Sequence, residues 1–274
     1  YYTRLFNKDI NSWNVSNVTS MDSMFNGAEK FNCPLNSWDV SNVTNMEFMF
    51  SYATSFNQEI NWNTSKVINM KGMFKGTQVF NKRVILNTIN VTNMDSLFEN
   101  TSFDGDISQW NVSKVTSMKN MFSNAINFNQ DINNWNTSNV TNMERMFSYA
   151  YKFNNNIGKW DVSNVTSMLY MFSKALSFNQ DLSSWDTSKI TNMSGIFFSA
   201  KAFNTPLNSW NTSNVTSMED MFSNANSFNQ PLDNWDVSKV TLMDFMFNKA
   251  ISFNQDISNW NVSSVTNMHR MFFS

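Results

Sequence analysis

Residues 253–272 read FNQDISNWNVSSVTNMHRMF, and close variants of this phrase fill the whole sequence. With the first phenylalanine of the phrase as position 0, eleven copies align. They begin at Phe6, Phe31, Phe56, Phe80, Phe103, Phe128, Phe153, Phe178, Phe203, Phe228 and Phe253. The period is 25 residues, except in the third and fourth copies, which have 24 and 23 residues. Residues of these two shorter copies are given the position number of the residues with which they align in the other copies. A fixed period of this length predicts that residues 1–274 form a single repeat array, with copies numbered 1–11.

The apolar residues of the chain fall at fixed positions of the repeat. All 20 methionines lie at +15 and +18, all ten tryptophans lie at +7, and 22 of the 26 phenylalanines lie at 0 and +19. Leu86 takes the tryptophan position in copy 4. Methionines at the same spacing in every copy indicate a core rather than a promiscuous binding groove. One unit of this size cannot bury its aromatic residues alone, so stacking of successive copies is expected.

A short helix is predicted in the second half of each copy. Positions +15, +18, +19 and +22 are apolar, which is the i, i+3, i+4, i+7 pattern of an amphipathic helix. Threonine at +13 followed by an acid at +16 has the spacing of a capping box, so the helix should begin near +14. Six copies carry that pair: Thr19/Asp22, Thr44/Glu47, Thr92/Asp95, Thr141/Glu144, Thr216/Glu219 and Thr241/Asp244.

A short strand is predicted around the tryptophan, because W-x-[VT] at +7 to +9 alternates and is rich in β-branched residues. All three prolines lie at +3, which is expected of a turn. The predicted fold is an α/β repeat solenoid: a leucine-rich-repeat-like curved array of about eleven repeats, with one short parallel strand and one short helix in each. Strands stack at about 4.8 Å and helices at about 8 to 10 Å, so the helical side should be convex. Asparagine at +1 and serine at +10 should form ladders that satisfy the turn backbone.

Composition excludes several classes of function. The net charge is −2 and only 15% of residues are charged, so the basic footprint of a nucleic-acid-binding protein is missing. No apolar run approaches 18 residues, so no transmembrane segment is predicted, and any export signal or anchor is expected outside this segment. The single cysteine, Cys33, and the single histidine, His269, leave no metal cluster and no catalytic constellation. An interrupted aspartate row at +3 is too thin for calcium. We therefore expect no enzyme activity, no catalytic residues, no metal and no cofactor.

The phrase W-[ND]-V-S-N-V-T-x-M-x-x-M-F-x-x-A-x-x-F-N resembles the BspA-like leucine-rich-repeat surface proteins, of the mycoplasma-lipoprotein type with a 25-residue repeat. The resemblance covers essentially the whole chain, although copies 3 and 4 are shortened and a kink is expected around residues 82–87. It implies a cell-surface or extracellular array, a segment of a longer anchored protein, that acts in adhesion or partner interaction. No catalytic residues come with the family.

Binding specificity is expected where the copies differ, at +16, +17, +20 and +21 on the helices and at +8 and +11 beside the strands. Aromatic residues there are candidate anchors for a partner, and lysines at +11 are candidates on the strand side. Scattered surface aromatics are the plain alternative. The partner-binding candidates are Phe48, Tyr52, Tyr149, Tyr170, Phe198, Phe245, Lys66, Lys114, Lys189 and Lys239.

Three functions fit these features. The main hypothesis is a noncatalytic adhesion or interaction scaffold that binds a protein or glycan on a host or neighbouring cell. A second is a structural stalk, fibre or filament module that self-associates end to end. A third is a lattice of serine, threonine and asparagine that matches ice or an ordered polymer.

Overall fold

The computed structural model describes residues 3–273, and in that range it contains two β-strands and no helix. Strand β1 is Ile60–Trp62 and strand β2 is Val84–Leu86, and they pair in parallel with Ile60 opposite Val84. The other copies consist of turns. The prediction of an α/β solenoid with one helix and one strand per copy is therefore wrong. Residues 1, 2 and 274, at the ends of the predicted array, lie outside the described residues.

Two fused turns occupy the stretch predicted to be a helix. In every copy the N–H at +18 donates to the carbonyl at +15, as Met24 does to Met21. The residue at +17 has a positive φ in every copy, and the residue at +21 has one in copies 1–10; Ser23 has 56° and Gly27 has 70°. A positive φ at the third residue of such a turn is the mark of a type II turn. A right-handed helix cannot contain a left-handed residue every four positions.

The turns of neighbouring copies are joined by main-chain hydrogen bonds. The N–H groups at +15, +17, +19 and +21 donate to carbonyls of the next copy, as from Ser23 to Glu47 at 2.8 Å. Isolated parallel bridges at +14 join neighbouring copies from Ser20–Asn45 to Asn142–Ser167 and again from Asn192–Ser217 to Leu242–Asn267, with a break between copies 7 and 8. Hydrogen bonds thus run between copies instead of along a helix. The expectation of a convex helical side has no basis without helices.

The predicted capping boxes are wrong for the same reason. The hydroxyl of Thr44 donates to the carbonyl of Thr19 in the preceding copy, at 3.1 Å. The N–H of Glu47 donates to the side chain of Asn45, two residues earlier, at 3.0 Å. The residue at +14, rather than the threonine, therefore closes the local turn.

The core is built from columns of aromatic rings. Phe147 at +19 of copy 6 stacks on Phe153, the first residue of copy 7, at a centroid distance of 3.9 Å, and on Phe172 at +19 of copy 7 at 5.8 Å. Trp135 and Trp160 stack at 6.3 Å. The methionines at +15 and +18 are buried in copies 2–10, which confirms that they are core residues. Each copy therefore covers the apolar surface of its neighbours.

The asparagine ladder at +1 is confirmed. Ten successive bonds, from Asn32 onto Asn7 to Asn254 onto Asn229, join a main-chain N–H to the side-chain oxygen of the preceding copy. Asp104 replaces asparagine in one copy without breaking the ladder, because its carboxylate accepts the N–H of Asn129 at 2.8 Å. The ladder satisfies backbone donors that the turns leave free.

The predicted serine ladder and the predicted strand at +7 to +9 are both wrong. The side chain at +8 accepts a hydrogen bond from the N–H at +10 of its own copy, as Asp161 does from Ser163 at 3.0 Å. This is an Asx turn, which bends the chain just after the tryptophan. The serine at +10 therefore closes a turn within its copy and does not bond to the next serine.

A deletion explains why only copies 3 and 4 contain strands. In other copies two residues separate positions +4 and +7, and a turn closes between them, as from the N–H of Trp135 to the carbonyl of Ile132. Copies 3 and 4 have one residue fewer and read INW and VIL. A turn closed by a bond between residues three apart cannot form there, so the chain is extended and its residues alternate between buried and exposed.

Candidate interaction surface on the turn face

The turn face consists of the residues at +16, +17, +20 and +21 of successive copies. Most of these residues are at least partly exposed, but some are buried, among them Asp244 and the serines at +20 in copies 2, 6, 7 and 9. Five of the six predicted aromatic anchors lie at +17 or +21, the left-handed positions of the two turns, and Phe198 lies at +20. Tyr52 is 49% exposed and Tyr149 is 37% exposed, whereas the other four are half-buried. The candidates therefore share one face of the molecule but have different accessibility.

Three of these rings lie over glycines of the next copy. The ring of Phe48 covers Gly72, the ring of Tyr52 covers Gly76 and the ring of Tyr170 covers Gly195. A Cβ added at Gly76 would lie 2.6 Å from the Tyr52 ring, so a side chain there would collide with it. All three glycines have positive φ. Because these glycines have no side chain, the aromatic rings can pack directly against their backbone.

Basic side chains lie over some of the same rings. The Nζ atom of Lys71 is 5.3 Å from the centroid of Phe48, and the guanidinium of Arg145 is 5.3 Å from that of Tyr170. Lys174 lies 4.4 Å from the centroid of Tyr149 and donates to its hydroxyl at 2.9 Å. These cation–π contacts fix the rings further.

The structure places five of the six aromatic candidates in three groups, which do not include Phe198. Phe48 and Tyr52 line one cavity of about 450 Å³. Tyr149 and Tyr170 belong to copies 6 and 7, where Arg145 and Lys174 link neighbouring copies. Phe245 contacts the ring of His269 edge-on at 5.4 Å, in copies 10 and 11. The predicted anchors are thus several local sites along one face.

An acidic patch, Glu219, Asp220 and Asp244, lies on the turn face of copies 9 and 10. Burial raises the pKa of the Glu219 carboxyl, and the neighbouring Asp244 raises it further. Burial also raises the pKa of Asp220. Burial, followed by the charges of Asp220 and Glu219, raises the pKa of the Tyr170 hydroxyl. Within residues 3–273 no ion pair neutralises these three carboxylates.

The four predicted lysines lie at +11, away from the aromatic rings. Each donates its Nζ to the side-chain oxygen of the asparagine at +11 in the preceding copy, as Lys66 does to Asn42 at 2.7 Å. The other pairs are Lys114 with Asn90, Lys189 with Asn164 and Lys239 with Asn214. All four lysines are exposed. They form a separate polar row, and their ammonium groups already have one partner.

Half of the other acids close turns by accepting a hydrogen bond from the main-chain N–H two residues on. Hydrogen bonds from Ser183 lower the pKa of Asp181, and hydrogen bonds from Ser188 lower the pKa of Asp186. Among residues 3–273 no group of three histidines, cysteines or acids is placed to hold a metal ion. In the same range no helix is long and apolar enough to cross a membrane.

Comparison with known proteins gives the family. Residues 1–86, 84–185 and 174–274 each match the family described as "Mycoplasma protein of unknown function, DUF285". The chain belongs to the DUF285 family. No curated protein matches it. The resemblance to mycoplasma repeat proteins is therefore supported, but its assignment to the BspA-like group is not.

A solved structure with some similarity to this DUF285 chain is the crystal structure of a TLR13–ssRNA13 complex. The two chains are 13% identical, and the aligned region covers 88% of the DUF285 chain and 45% of the other chain. The TM-score is 0.28, so this likeness carries no argument. The DUF285 chain spans less than half the length of that protein.

The sequence pattern does not predict two features of the DUF285 turn face. The pattern places Glu219 and Asp244, at +16, in capping boxes and does not predict that these two acids lie close together across copies. The second feature is the pairing of rings with glycines. It has a signal in the sequence, because Gly72 follows Phe48, Gly76 follows Tyr52 and Gly195 follows Tyr170 at an interval of 24 or 25 residues.

Proposed function

We propose that the DUF285 chain is a noncatalytic interaction scaffold whose turn face binds a protein or glycan partner. The observation that carries this proposal is the placement of Phe48, Tyr52 and Tyr170 over glycines of the next copy. The core and the ladders recur in nearly every copy and offer no means of distinguishing one partner from another. The turn face is where the copies differ in shape and charge.

Rings held against glycines are suited to binding. An anchor that is already ordered loses little conformational freedom when a partner arrives, so more of its contact energy appears as affinity. Tyrosine supplies a large contact area with only two side-chain torsions. Tyr52 combines both features, since it lies over Gly76 and is 49% exposed.

The noncatalytic part of the proposal rests on the surroundings of His269 and Cys33. The ring of His269 lies against Phe245, and no hydrogen bond in residues 3–273 joins that ring to a hydroxyl, thiol or carboxylate. The thiol of Cys33 donates to the ladder residue Asn7 at 3.2 Å. Neither residue lies beside a base or nucleophile, which acid–base or nucleophilic catalysis requires.

Binding of the purified array to panels of glycans and extracellular-matrix proteins tests the proposal. The turn-face variant carries Phe48→Ser, Tyr52→Asn and Tyr170→Ser, residue types that other copies have at +17 and +21 (Ser23, Asn124). The matched control replaces the four lysines at +11 by asparagine, the residue that other copies have there. We expect saturable binding by the parent chain and the lysine variant, and at least about tenfold weaker binding by the turn-face variant, since aromatic anchors dominate interface energy.

The opposite result would assign partner binding to the lysine row at +11 instead of the turn face. Binding that the lysine variant loses and the turn-face variant retains would contradict the proposal. Thermal unfolding of both variants must accompany the screen, because a loss of binding together with a large loss of stability would indicate that the rings serve packing alone.

We also propose that the chain acts at the cell surface or outside the cell. The support is the resemblance to repeat proteins of that location and the match to a mycoplasma family. Antibody labelling of intact cells, compared with permeabilised cells, tests it. Labelling that requires permeabilisation would contradict it.

A further inference from the structure

A cleft of about 540 Å³ opens between copies 4 and 5, on a different part of the molecule from the turn face. One wall is strand β2 with the preceding Lys82 and Arg83, and the other wall is the segment 104–110, which ends at Trp110. The volume is within the range of ligand pockets. The cleft lies where the sequence predicted a local departure from the repeat.

The cleft arises from a mismatch between two backbone conformations. Copy 4 is extended at Val84–Leu86, but copy 5 forms the usual turn, in which the N–H of Trp110 donates to the carbonyl of Ile107 at 3.1 Å. An extended strand and a turn cannot pair residue by residue. β2 therefore pairs only with β1, and its other edge faces copy 5.

The direction of the backbone groups of β2 follows from its pairing with β1. The N–H of Ile60 donates to the carbonyl of Arg83 at 3.1 Å, and Ile60 stands opposite Val84. In a parallel pair with this register, the N–H and C=O groups of Val84 and Leu86 point away from β1. No hydrogen bond in the described part of the chain joins those groups to copy 5.

The indole of Trp110 lacks the bond that its counterparts make. Eight tryptophans donate their indole N–H to the carbonyl at +4 of the preceding copy: Trp38, Trp62, Trp135, Trp160, Trp185, Trp210, Trp235 and Trp260. The corresponding acceptor for Trp110 is the carbonyl of Val84, and this bond is not formed. A donor and a strand edge therefore face the same gap.

Both ends of the cleft are closed by hydrogen bonds between the copies. At one end the N–H of Asp104 donates to the side chain of Asn81 at 2.8 Å. At the other end the hydroxyl of Thr88 donates to the carbonyl of Asn111 at 2.9 Å. These bonds fix the separation of the two walls, so the cleft is preformed.

The rim of the cleft carries balanced charge. Lys82 and Arg83 lie on one side, and Asp104 and Asp106 lie on the other. Hydrogen bonds from Ser108 lower the pKa of the Asp106 carboxyl, and the charge of Arg83 adds a smaller contribution. A rim with two cations and two anions does not select a polyanion, and it suits a neutral main chain.

We propose that this cleft binds a short peptide in an extended conformation, which adds a strand to the free edge of β2. The alternating N–H and C=O groups of Val84 and Leu86 match those of another extended chain, as in other cases of strand addition. A peptide carbonyl accepts the free indole N–H of Trp110. This site does not depend on the proposed turn face, so each proposal can fail without the other.

The experiment follows the indole N–H resonance of Trp110 in the ¹⁵N-labelled chain. The probe is an acetylated and amidated hexapeptide of alternating threonine and valine, and its control is the same peptide N-methylated at every internal amide. We expect a saturable downfield shift with the probe and none with the control, because N-methylation removes strand pairing and keeps the side chains.

Two variants make the test specific. Leu86→Trp restores the residue that other copies have at +7, so it should preserve folding, fill the cleft and weaken probe binding at least tenfold. Ile89→Ser is the matched control, because Ile89 is exposed, does not line the cleft and lies at +10, where the other copies have serine; this variant should bind the probe as the parent does.

Three results would overturn the proposal. They are no shift of the Trp110 resonance at millimolar probe, equal shifts with the probe and its N-methylated control, and full probe binding by a folded Leu86→Trp variant. A shift caused by a chitin or maltose oligosaccharide but not by the peptide would also overturn it and assign the cleft to a glycan.

Discussion

Single carboxylates and amides close the turns of every copy, and this explains why asparagine and aspartate exchange freely at +8. Either side chain can accept the N–H at +10. The pKa values of Asp161, Asp186 and Asp236 are lowered, first by the side-chain hydrogen bond from the serine two residues on and then by the bond from its backbone N–H. The charged form is therefore favoured in the folded chain.

These lowered pKa values give the sign of the pH dependence. Groups whose pKa is lower in the folded state stabilise the fold above their unfolded pKa, and this contribution is lost as the pH falls through the folded pKa. We expect urea unfolding midpoints to fall from pH 6 toward pH 3. Asparagine at all four +8 aspartates, Asp39, Asp161, Asp186 and Asp236, should reduce this fall and leave the midpoint at pH 7 nearly unchanged. An equally steep fall in that variant would show that other carboxylates control acid unfolding.

Glu219 provides the opposite case. Its pKa is raised, so the fold favours the protonated form, and its contribution is lost as the pH rises through the folded pKa. Glu219→Gln should therefore raise stability at pH 7 and have little effect at pH 3. Equal effects at both values of pH would indicate a change in packing instead of charge.

The tryptophan column gives a prediction about core energy. Trp135 is buried and donates its indole N–H to the carbonyl of Ile107. Trp135→Ala should cost about 3 to 5 kcal/mol of unfolding free energy, as expected for an aromatic core truncation. His269→Ala should cost less than about 0.5 kcal/mol, because His269 is exposed. Denaturant unfolding of both variants measures this, and the reverse order would contradict the assignment of core and surface.

At the scale of an element, the helix prediction failed because two different backbones share one apolar pattern. The turns over +15 to +22 close by hydrogen bonds between residues three apart and repeat after four, so Met143, Met146, Phe147 and Ala150 all point inward. A helix would bury the same positions. The pattern therefore predicted the core correctly and the backbone wrongly.

The sequence held a weak signal for the turns. Gly72 and Asn120 at +17, and Gly27 and Asn124 at +21, are residue types that accept a positive φ. Phe48 and Tyr170 also have a positive φ at +17. Because aromatic residues are not typical of left-handed positions, they made the pattern of glycine and asparagine harder to recognise. The repeat pattern also did not predict which side chains contact each candidate residue. Those contacts depend on the residues in the neighbouring copies and on side-chain conformation.

The ring-over-glycine pair gives a prediction for the turn element. Gly76→Ala places a methyl group 2.6 Å from the ring of Tyr52 at a φ of 71°, so it should cost about 1 to 3 kcal/mol. Tyr52→Asn removes the collision but not the backbone strain. The double variant should therefore lose less than the sum of the single variants, by at least about 0.5 kcal/mol. Additive losses in denaturant unfolding would show that the ring does not rest on the glycine.

At the scale of the whole molecule, stability is a sum of copies and of interfaces between neighbours. Most interfaces share the aromatic columns, the asparagine ladder, the turn bonds and the indole bond. The interface between copies 4 and 5 keeps the ladder and the stacking of Phe80 on Phe103 at 5.8 Å. It lacks the indole bond of Trp110 and has the unpaired edge of β2, so it should be weaker than the interfaces that keep all of these contacts.

Hydrogen exchange under native conditions tests this expectation. In a one-dimensional array, a weak interface separates two units that open independently, so copies 1–4 and copies 5–11 should show different opening free energies with a step at residues 80–110. Leu86→Trp gives Trp62 and Trp110 a neighbouring ring between them and should reduce the step by filling the cleft. A uniform opening free energy across copies 2–10 of the parent chain would contradict the weak interface. If Leu86→Trp leaves the step in opening free energy unchanged, the step is caused by the shortened backbone of copy 4. The missing residue of that copy, rather than the missing indole, would then make copies 1–4 and copies 5–11 open independently.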